Sequence, residues 1–404
     1  MQKSCFLPAD ILIPKACDLN IWSVIACDQF SSEREYWNRV CARAEGKPST
    51  VHMIIPEAFL DTVSKDAAAE RNAEMRKYLS SGVFKTIPES YVYVERETTN
   101  GIRRGLVGMI DLDAYDYMPD SVSPIRASEK TVVERLPARI EVRRAAPIEL
   151  PHVMVLIDDP EKTVIEPLTG KKDSMEKLYD FDLMEGGGHI EGWRVTDEAA
   201  ADVLKAFDCF KEKPVQIVVG DGNHSLAAAK ACWESIKGGL SENERQDHPA
   251  RFALVEANNV YDDGVCFEPI HRVVFKTEPE KLLADLCVAF SSGPGFELKV
   301  TYSGGHGIVT IPADSLGGMI KALQDFLEEY IVRSGGTIDY IHDDEAAEAM
   351  AASIGNIAFF MPKIEKSDLF STVVTDGVFP KKSFSIGHAR DKRYYLECRK
   401  IVRG

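Results

Sequence analysis

The run Gly220-Asp221-Gly222-Asn223-His224-Ser225 concentrates more chemistry than any other segment of the chain. Its glycines permit positive φ and close approach of a ligand to the backbone. Gln216-Ile217-Val218-Val219 before it reads as a strand, and Leu226-Ala227-Ala228-Ala229-Lys230 after it opens an Ala-rich helix. A helix start presents N–H donors and the positive end of the helix dipole, which together attract phosphate or carboxylate. His224 adds a proton donor or acceptor near neutral pH, and Asn223 or Ser225 is placed to cap the helix. The plainer alternative is a strand-to-helix turn with those same caps and no ligand.

Other residues have chemistry of their own. Glu129 would serve as a general base toward a hydroxyl if burial raised its pKa, with Arg126 balancing a substrate carboxylate or phosphate. The bland reading makes Thr131 and Glu134 a capping box and leaves Glu129 solvated. Arg139, Arg143 and Arg144 read as part of a strand, with Arg139 and Arg143 on one face, open to an anion or to surface ion pairs. His271 begins a strand beside Pro269, as a site residue or a satisfied core histidine. His189 follows three glycines, on a lid or an ordinary loop.

Several chemistries are disfavoured. The nine histidines have no H-x-x-x-H or H-E-x-x-H spacing, so no protein-only metal site is expected. Mg²⁺ carried in by a nucleoside di- or triphosphate fits better, since it needs few protein ligands. The nine cysteines contain no C-x-x-C pair and lie in apolar company, as reduced thiols of a cytoplasmic protein do. G-x-G-x-x-G, G-x-x-x-x-G-K-[ST] and G-x-S-x-G are all absent.

The elements that must position these residues read as follows. Ser32 and Glu35 form a capping box for a helix to about Ala44, and a further apolar stretch runs from Pro56 to Leu79. Tyr91–Val94 and Leu106–Ile110 are strands, and Asn100-Gly101 between them signals a hairpin. His152–Ile157 is a buried strand, 167–192 a loop and 196–210 a helix. Arg251–Glu256 and Arg272–Phe275 are strands. From 278 to 375 helices and strands alternate, as in an α/β layer with its own core. The expected architecture is α+β. Residues 1–275 form a mixed sheet with flanking helices and the glycine turn, and residues 276–404 form a smaller α/β domain with a basic tail.

Hydrophobic content of 45% suits a chain with full cores, and no run approaches a membrane span. A net charge of -16 repels nucleic acid and anionic membranes. The stretch from Lys381 to Gly404 is the exception, with eight basic residues against Asp391 and Glu397. Such a tail folds back on the acidic body or meets a second subunit of a homo-oligomer, and less often reaches for nucleic acid.

Six blocks together resemble the bacterial and archaeal family called domain of unknown function 1015. They are Ile25–Phe30, Ser123–Glu129, Leu150–Pro160, Gly220–Ser225, Glu268–Val274 and Tyr395–Lys400, and the likeness covers nearly the whole chain. The family brings no settled activity. More narrowly, Asp221–Lys230 resembles the nucleotide-binding turn of ParB-like and sulfiredoxin-like domains, some of which are kinases of free serine. Those domains place Arg where this chain has Ser225, so a bidentate phosphate donor is missing here.

These readings converge on a small-molecule phosphotransferase or phosphate-ester enzyme. Gly220–Ser225 would hold a nucleotide or phosphorylated metabolite, with Glu129 and His224 catalytic and Arg126, Arg139 and His271 binding. A hydroxyl compound such as serine is the concrete acceptor. The alternatives are a non-catalytic sensor of such a ligand and a ParB-like DNA-associated protein, the latter opposed by the net charge.

Overall fold

The computed structural model describes residues 4–133, 136–290 and 293–403, so Glu134 and the expected capping box lie outside the described residues. The chain forms two compact units. The first comprises Met1–Ala127, Thr131–Cys266 and Gly387–Gly404, and the second Ser128–Lys130 and Phe267–Ile386. The division thus falls at Cys266/Phe267 rather than at 275/276, and the basic tail from Gly387 onward joins the first unit, while Lys381 and Lys382 stay in the second.

Ten strands of the first unit make one mixed sheet. They are β1 (Phe6–Leu7), β2 (Val92–Thr98), β3 (Gly101–Asp111), β4 (Tyr115–Asp116), β5 (Ile125–Ala127), β6 (Met154–Ile157), β7 (Glu176–Asp182), β8 (His189–Arg194), β9 (Ile217–Asp221) and β10 (Phe252–Asn259). Their order is β7-β8-β2-β3-β10-β6-β9-β5-β4, with β1 beside β3. The Asn100-Gly101 hairpin joins β2 to β3, Thr98 opposite Gly101. β6 pairs parallel with β10 and antiparallel with β9, which pairs parallel with β5. Period-two alternation sends Val92 and Val94 into one hydrophobic cluster and Tyr91 and Tyr93 into another.

Helices α1 (Arg34–Ala44), α2 (Ala67–Ser80), α3 (Leu136–Arg144), α4 (Asp197–Asp208) and α5 (Asn223–Lys237) belong to this unit. Three expectations are corrected here. Ser32 does not cap α1, whose N-cap is Glu33 with no side-chain bond. Residues 139–144 are helical, and a helix also puts Arg139 and Arg143 on one face because they are four apart. The expected loop at 167–192 holds the β7–β8 hairpin, whose charged residues suit a sheet edge.

The tail is woven into the first unit. Tyr394–Tyr395 pairs with Val24–Ile25, and Arg399–Lys400 with Ile148–Glu149. Buried arginines hold it from both sides. Arg96 donates to the carbonyls of Arg390 and Lys392 at 2.6 Å each, and Arg103 to that of Asp391 at 2.7 Å. From the tail, Arg393 pairs with Glu256 at 2.8 Å and Glu397 at 2.7 Å, and Arg399 with Glu149 at 2.7 Å. Three of the eight basic residues, Lys392, Arg393 and Arg399, are therefore buried structural charges.

This arrangement predicts acid sensitivity. Burial pushes the Glu149 and Glu256 carboxyls up, but Arg399 and Arg143 around the first, and Arg393 and Arg103 around the second, outweigh it. Both pKa values fall below the ordinary 4.5. A depressed folded pKa gives stability that is present above the unfolded value and lost as pH falls through the folded one. The urea midpoint should hold from pH 7 to 5 and drop below 4.5, with Trp22 fluorescence as reporter, since Trp22 donates to the Leu396 carbonyl. A midpoint unchanged down to pH 3 would refute this.

The second unit holds a five-stranded antiparallel sheet of β11 (His271–Phe275), β12 (Gly295–Tyr302), β13 (Gly305–Pro312), β14 (Thr337–Ile341) and β15 (Ile357–Phe360), in the order β13-β12-β15-β11-β14. Helices α6 (Pro279–Ala289), α7 (Leu316–Ser334), α8 (Asp344–Ala351) and α9 (Lys366–Thr375) accompany it, and α8 contributes Ala347 and Ala351 to a core with Val273, Ala358 and Phe360. Among the described residues no helix is long and apolar enough to cross a membrane.

Candidate functional site

β9 leads directly into the glycine turn. Gly222 is the N-cap of α5 at φ +82°, and a Cβ there would lie 3.0 Å from the Val153 Cα. Neither Asn223 nor Ser225 caps the helix, a correction to the sequence reading, because both lie within its first turn. The first helical hydrogen bond runs from Leu226 N–H to the Gly222 carbonyl at 3.0 Å. Asp221 Oδ1 accepts the Gly222 N–H at 2.9 Å, and its Oδ2 lies 3.4 Å from Lys392 Nζ. Gly222→Ala should cost about 1–2 kcal/mol for the left-handed backbone alone. A urea midpoint equal to wild type would mean that the turn relaxes freely.

His152 stands at the centre of what surrounds this turn. Its Nε2 is 3.4 Å from Ser225 Oγ and 3.8 Å from Asp28 Oδ2, and its Nδ1 is 2.9 Å from the Tyr395 hydroxyl. Tyr395 also accepts the Cys27 N–H at 3.3 Å. Burial, with Cys27 and Asp28 adding to it, raises the Tyr395 phenol well above its ordinary range, so it keeps its proton. Burial also pushes the Asp28 carboxyl up, but His152, the Gln29 side chain, Arg139 and Lys392 hold it below the ordinary 3.8. A cavity of about 180 Å³ runs alongside, with Ser225, Ala228, His152 and Tyr395 in its wall.

The other expected residues have the following places. His224 Nε2 accepts the Val132 N–H at 3.2 Å. Arg139 pairs with Glu57 and lines the same cavity. Arg126 donates to the carbonyls of Ser123 at 2.9 Å and Pro214 at 3.0 Å. Glu129 belongs to the second unit, where its carboxylate accepts the N–H groups of Lys382, Ser383 and Phe384 at 3.0–3.4 Å. Burial raises its pKa, as expected for a base, although it clamps a loop. His271, buried in the second unit, has Nε2 2.6 Å from Asp344 Oδ1, and its Nδ1 accepts the Met361 N–H at 3.1 Å.

His189 lies in β8, bonded to Asp182 and Asp180, which corrects the loop or lid placement. The sheet also brings ligand atoms of Asp180, His189 and Glu191 within 4.8 Å of one another, a grouping with metal-ligand chemistry that histidine spacing does not announce. Lys177 already bridges Asp180 and Glu191 at 2.6 Å each.

Asp28, His152, Lys392 and Tyr395 escaped the residue-by-residue sequence reading. Asp28, His152 and Tyr395 nevertheless fall within blocks that carry the family resemblance, which was the available signal. The model of the family described as protein of unknown function (DUF1015) matches residues 11–397. The chain belongs to the DUF1015 family. No curated protein matches it.

Among solved structures, a conserved hypothetical protein from Pyrococcus furiosus is 15% identical, with 71% of this chain and 90% of that one covered and a TM-score of 0.34. A free serine kinase in complex with AMP is 12% identical over 72% and 91%, at 0.40. C-terminally truncated SbnI from Staphylococcus aureus is 8% identical over 70% and 82%, at 0.37. Likeness at this level transfers neither ligand nor activity to the DUF1015 chain.

Proposed function

We propose that the first unit binds a phosphorylated metabolite or a nucleoside di- or triphosphate at the start of α5, and moves a phosphoryl group to or from a small hydroxyl compound. The observation that carries this reading is the grouping of Ser225, His152, Asp28 and Lys392 around the first turn of α5, beside a cavity. The helix dipole and the donors of a first turn favour an anion there.

Each side chain then has a role. Tyr395 directs its proton to His152 Nδ1, which puts the imidazole proton on Nε2, facing Ser225 and Asp28. Nε2–H, the Ser225 hydroxyl and Lys392 donate to phosphate oxygens. Asp28, ionised throughout the neutral range, orients the acceptor hydroxyl. As that oxygen attacks phosphorus the new O–P bond forms and the bond to the leaving oxygen breaks. The hydroxyl proton passes to Asp28. Positioning and charge stabilisation supply most of the catalysis in such transfers. In this reading the proton-accepting role expected of Glu129 and His224 falls to Asp28, and within Gly220–Ser225 the phosphate role rests on Ser225. Mg²⁺ arriving with a nucleotide would meet the Asp28 and Asp221 carboxylates and keep several waters.

Titration calorimetry with ADP, ATP, CTP, phosphoserine and inorganic phosphate tests the reading. At least one should bind, and His152→Ala should weaken it about tenfold or more, the worth of a hydrogen bond to a charged group. Silence from all five against the folded protein removes the proposal. Binding with no phosphate release or transfer from any of them would leave a sensor rather than an enzyme.

A further inference from the structure

We infer that the small hydroxyl compound that exchanges the phosphoryl group at Ser225 and His152 has a compact apolar body, a single ring or a short branched hydrocarbon, and is not a polyol. The inference rests on the phosphate reading above for the head group and on the cavity alone for the body. Met53, Ile54, Met75, Val142, Ile148 and Ala228 supply the apolar wall of that cavity. Its charged lining residues already have partners. Arg139 pairs with Glu57, and Arg143 with Glu149 at 2.7 Å. Glu149 also accepts Arg399 Nε at 2.7 Å and the Leu254 N–H at 2.9 Å. Burial pushes the Cys27 thiol up to about 12, so it stays a neutral part of the wall.

With the charged side chains held in ion pairs and the thiol neutral, His152, Ser225 and Tyr395 are the uncharged nitrogen- and oxygen-bearing side chains of that lining. A guest with one polar head satisfies those three and gains from burying its hydrocarbon. A guest with several hydroxyls sets the further ones against hydrocarbon, which is the costly case. Size agrees with a single ring, because an apolar cavity of about 150 Å³ is enough to hold benzene and this one measures about 180 Å³. Serine, with one methylene between its hydroxyl and two charged groups, does not fill it.

The test compares phenyl phosphate, glycerol phosphate and inorganic phosphate by titration calorimetry on the intact protein, with benzyl alcohol as a probe that carries no phosphate. Phenyl phosphate should bind about tenfold or more tightly than glycerol phosphate, the margin that 1.4 kcal/mol represents. Ala228→Leu, which fills the cavity, should erase that margin and the binding of benzyl alcohol. Leu60, exposed at the cavity edge, offers a second variant that does not strain the interior, and Leu60→Gln should weaken both aromatic probes. Glycerol phosphate binding as tightly as phenyl phosphate, or an aromatic preference that survives both substitutions, overturns the inference. Benzyl alcohol binding that is lost in Ala228→Leu, with no phosphate bound at all, supports the apolar body while refuting the phosphate reading.

Discussion

Asp28→Asn should lower phosphoryl turnover by about 10²- to 10⁴-fold, the range for losing a positioned proton acceptor. The amide keeps the shape of the carboxylate and removes its charge, so ligand binding at α5 should change far less than turnover. The acid side of the rate profile gives a second readout. Asp28 is held below its ordinary 3.8 by His152, Gln29, Arg139 and Lys392 against the opposing effect of burial. Its protonation therefore causes no loss of rate between pH 7 and 5. An Asp28→Asn enzyme as active as wild type would return the acceptor role to another group.

Arg393→Ala should destabilise the first unit by about 3–5 kcal/mol, the cost of breaking a buried pair from one side. The substitution takes a guanidinium from two carboxylates at once, since Arg393 holds both Glu256 and Glu397 and all three are buried. A loss below about 1 kcal/mol in urea unfolding, the level of an exposed pair, would show that the tail is dispensable. Site and stability are linked here, because the same segment carries Lys392 and Tyr395. Deleting residues 387–404 should accordingly abolish phosphate binding along with the fold of the first unit. Loss of DNA retention without loss of fold would instead fit a nucleic-acid arm.

How much of this could be read from the sequence depends on how local each feature is. The β2–β3 hairpin is encoded in an Asn-Gly pair between alternating strands. The elements from 278 to 375 are encoded in clean shifts between helical and strand periods. The strand–glycine–helix turn is equally local, and β9, Gly222 and α5 follow one another as expected. Elsewhere local signals misled. The Arg-rich segment at 139–144 satisfies both a strand and a helix pattern. β7 carries the charges of an edge strand and so resembles a loop. The site is the least local feature. Asp28, His152, Ser225 and Lys392 come from four distant stretches, and Lys392 arrives only because the tail threads back under Arg96 and Arg103. No periodicity or turn chemistry near residue 28 or 152 announces that meeting.

A crystal structure of the intact protein soaked with ADP tests the central claim most directly. Phosphate density is expected at the first turn of α5, within hydrogen-bonding distance of Ser225 Oγ, His152 Nε2 and Lys392 Nζ. ADP bound elsewhere in the molecule, with the start of α5 empty, would contradict it.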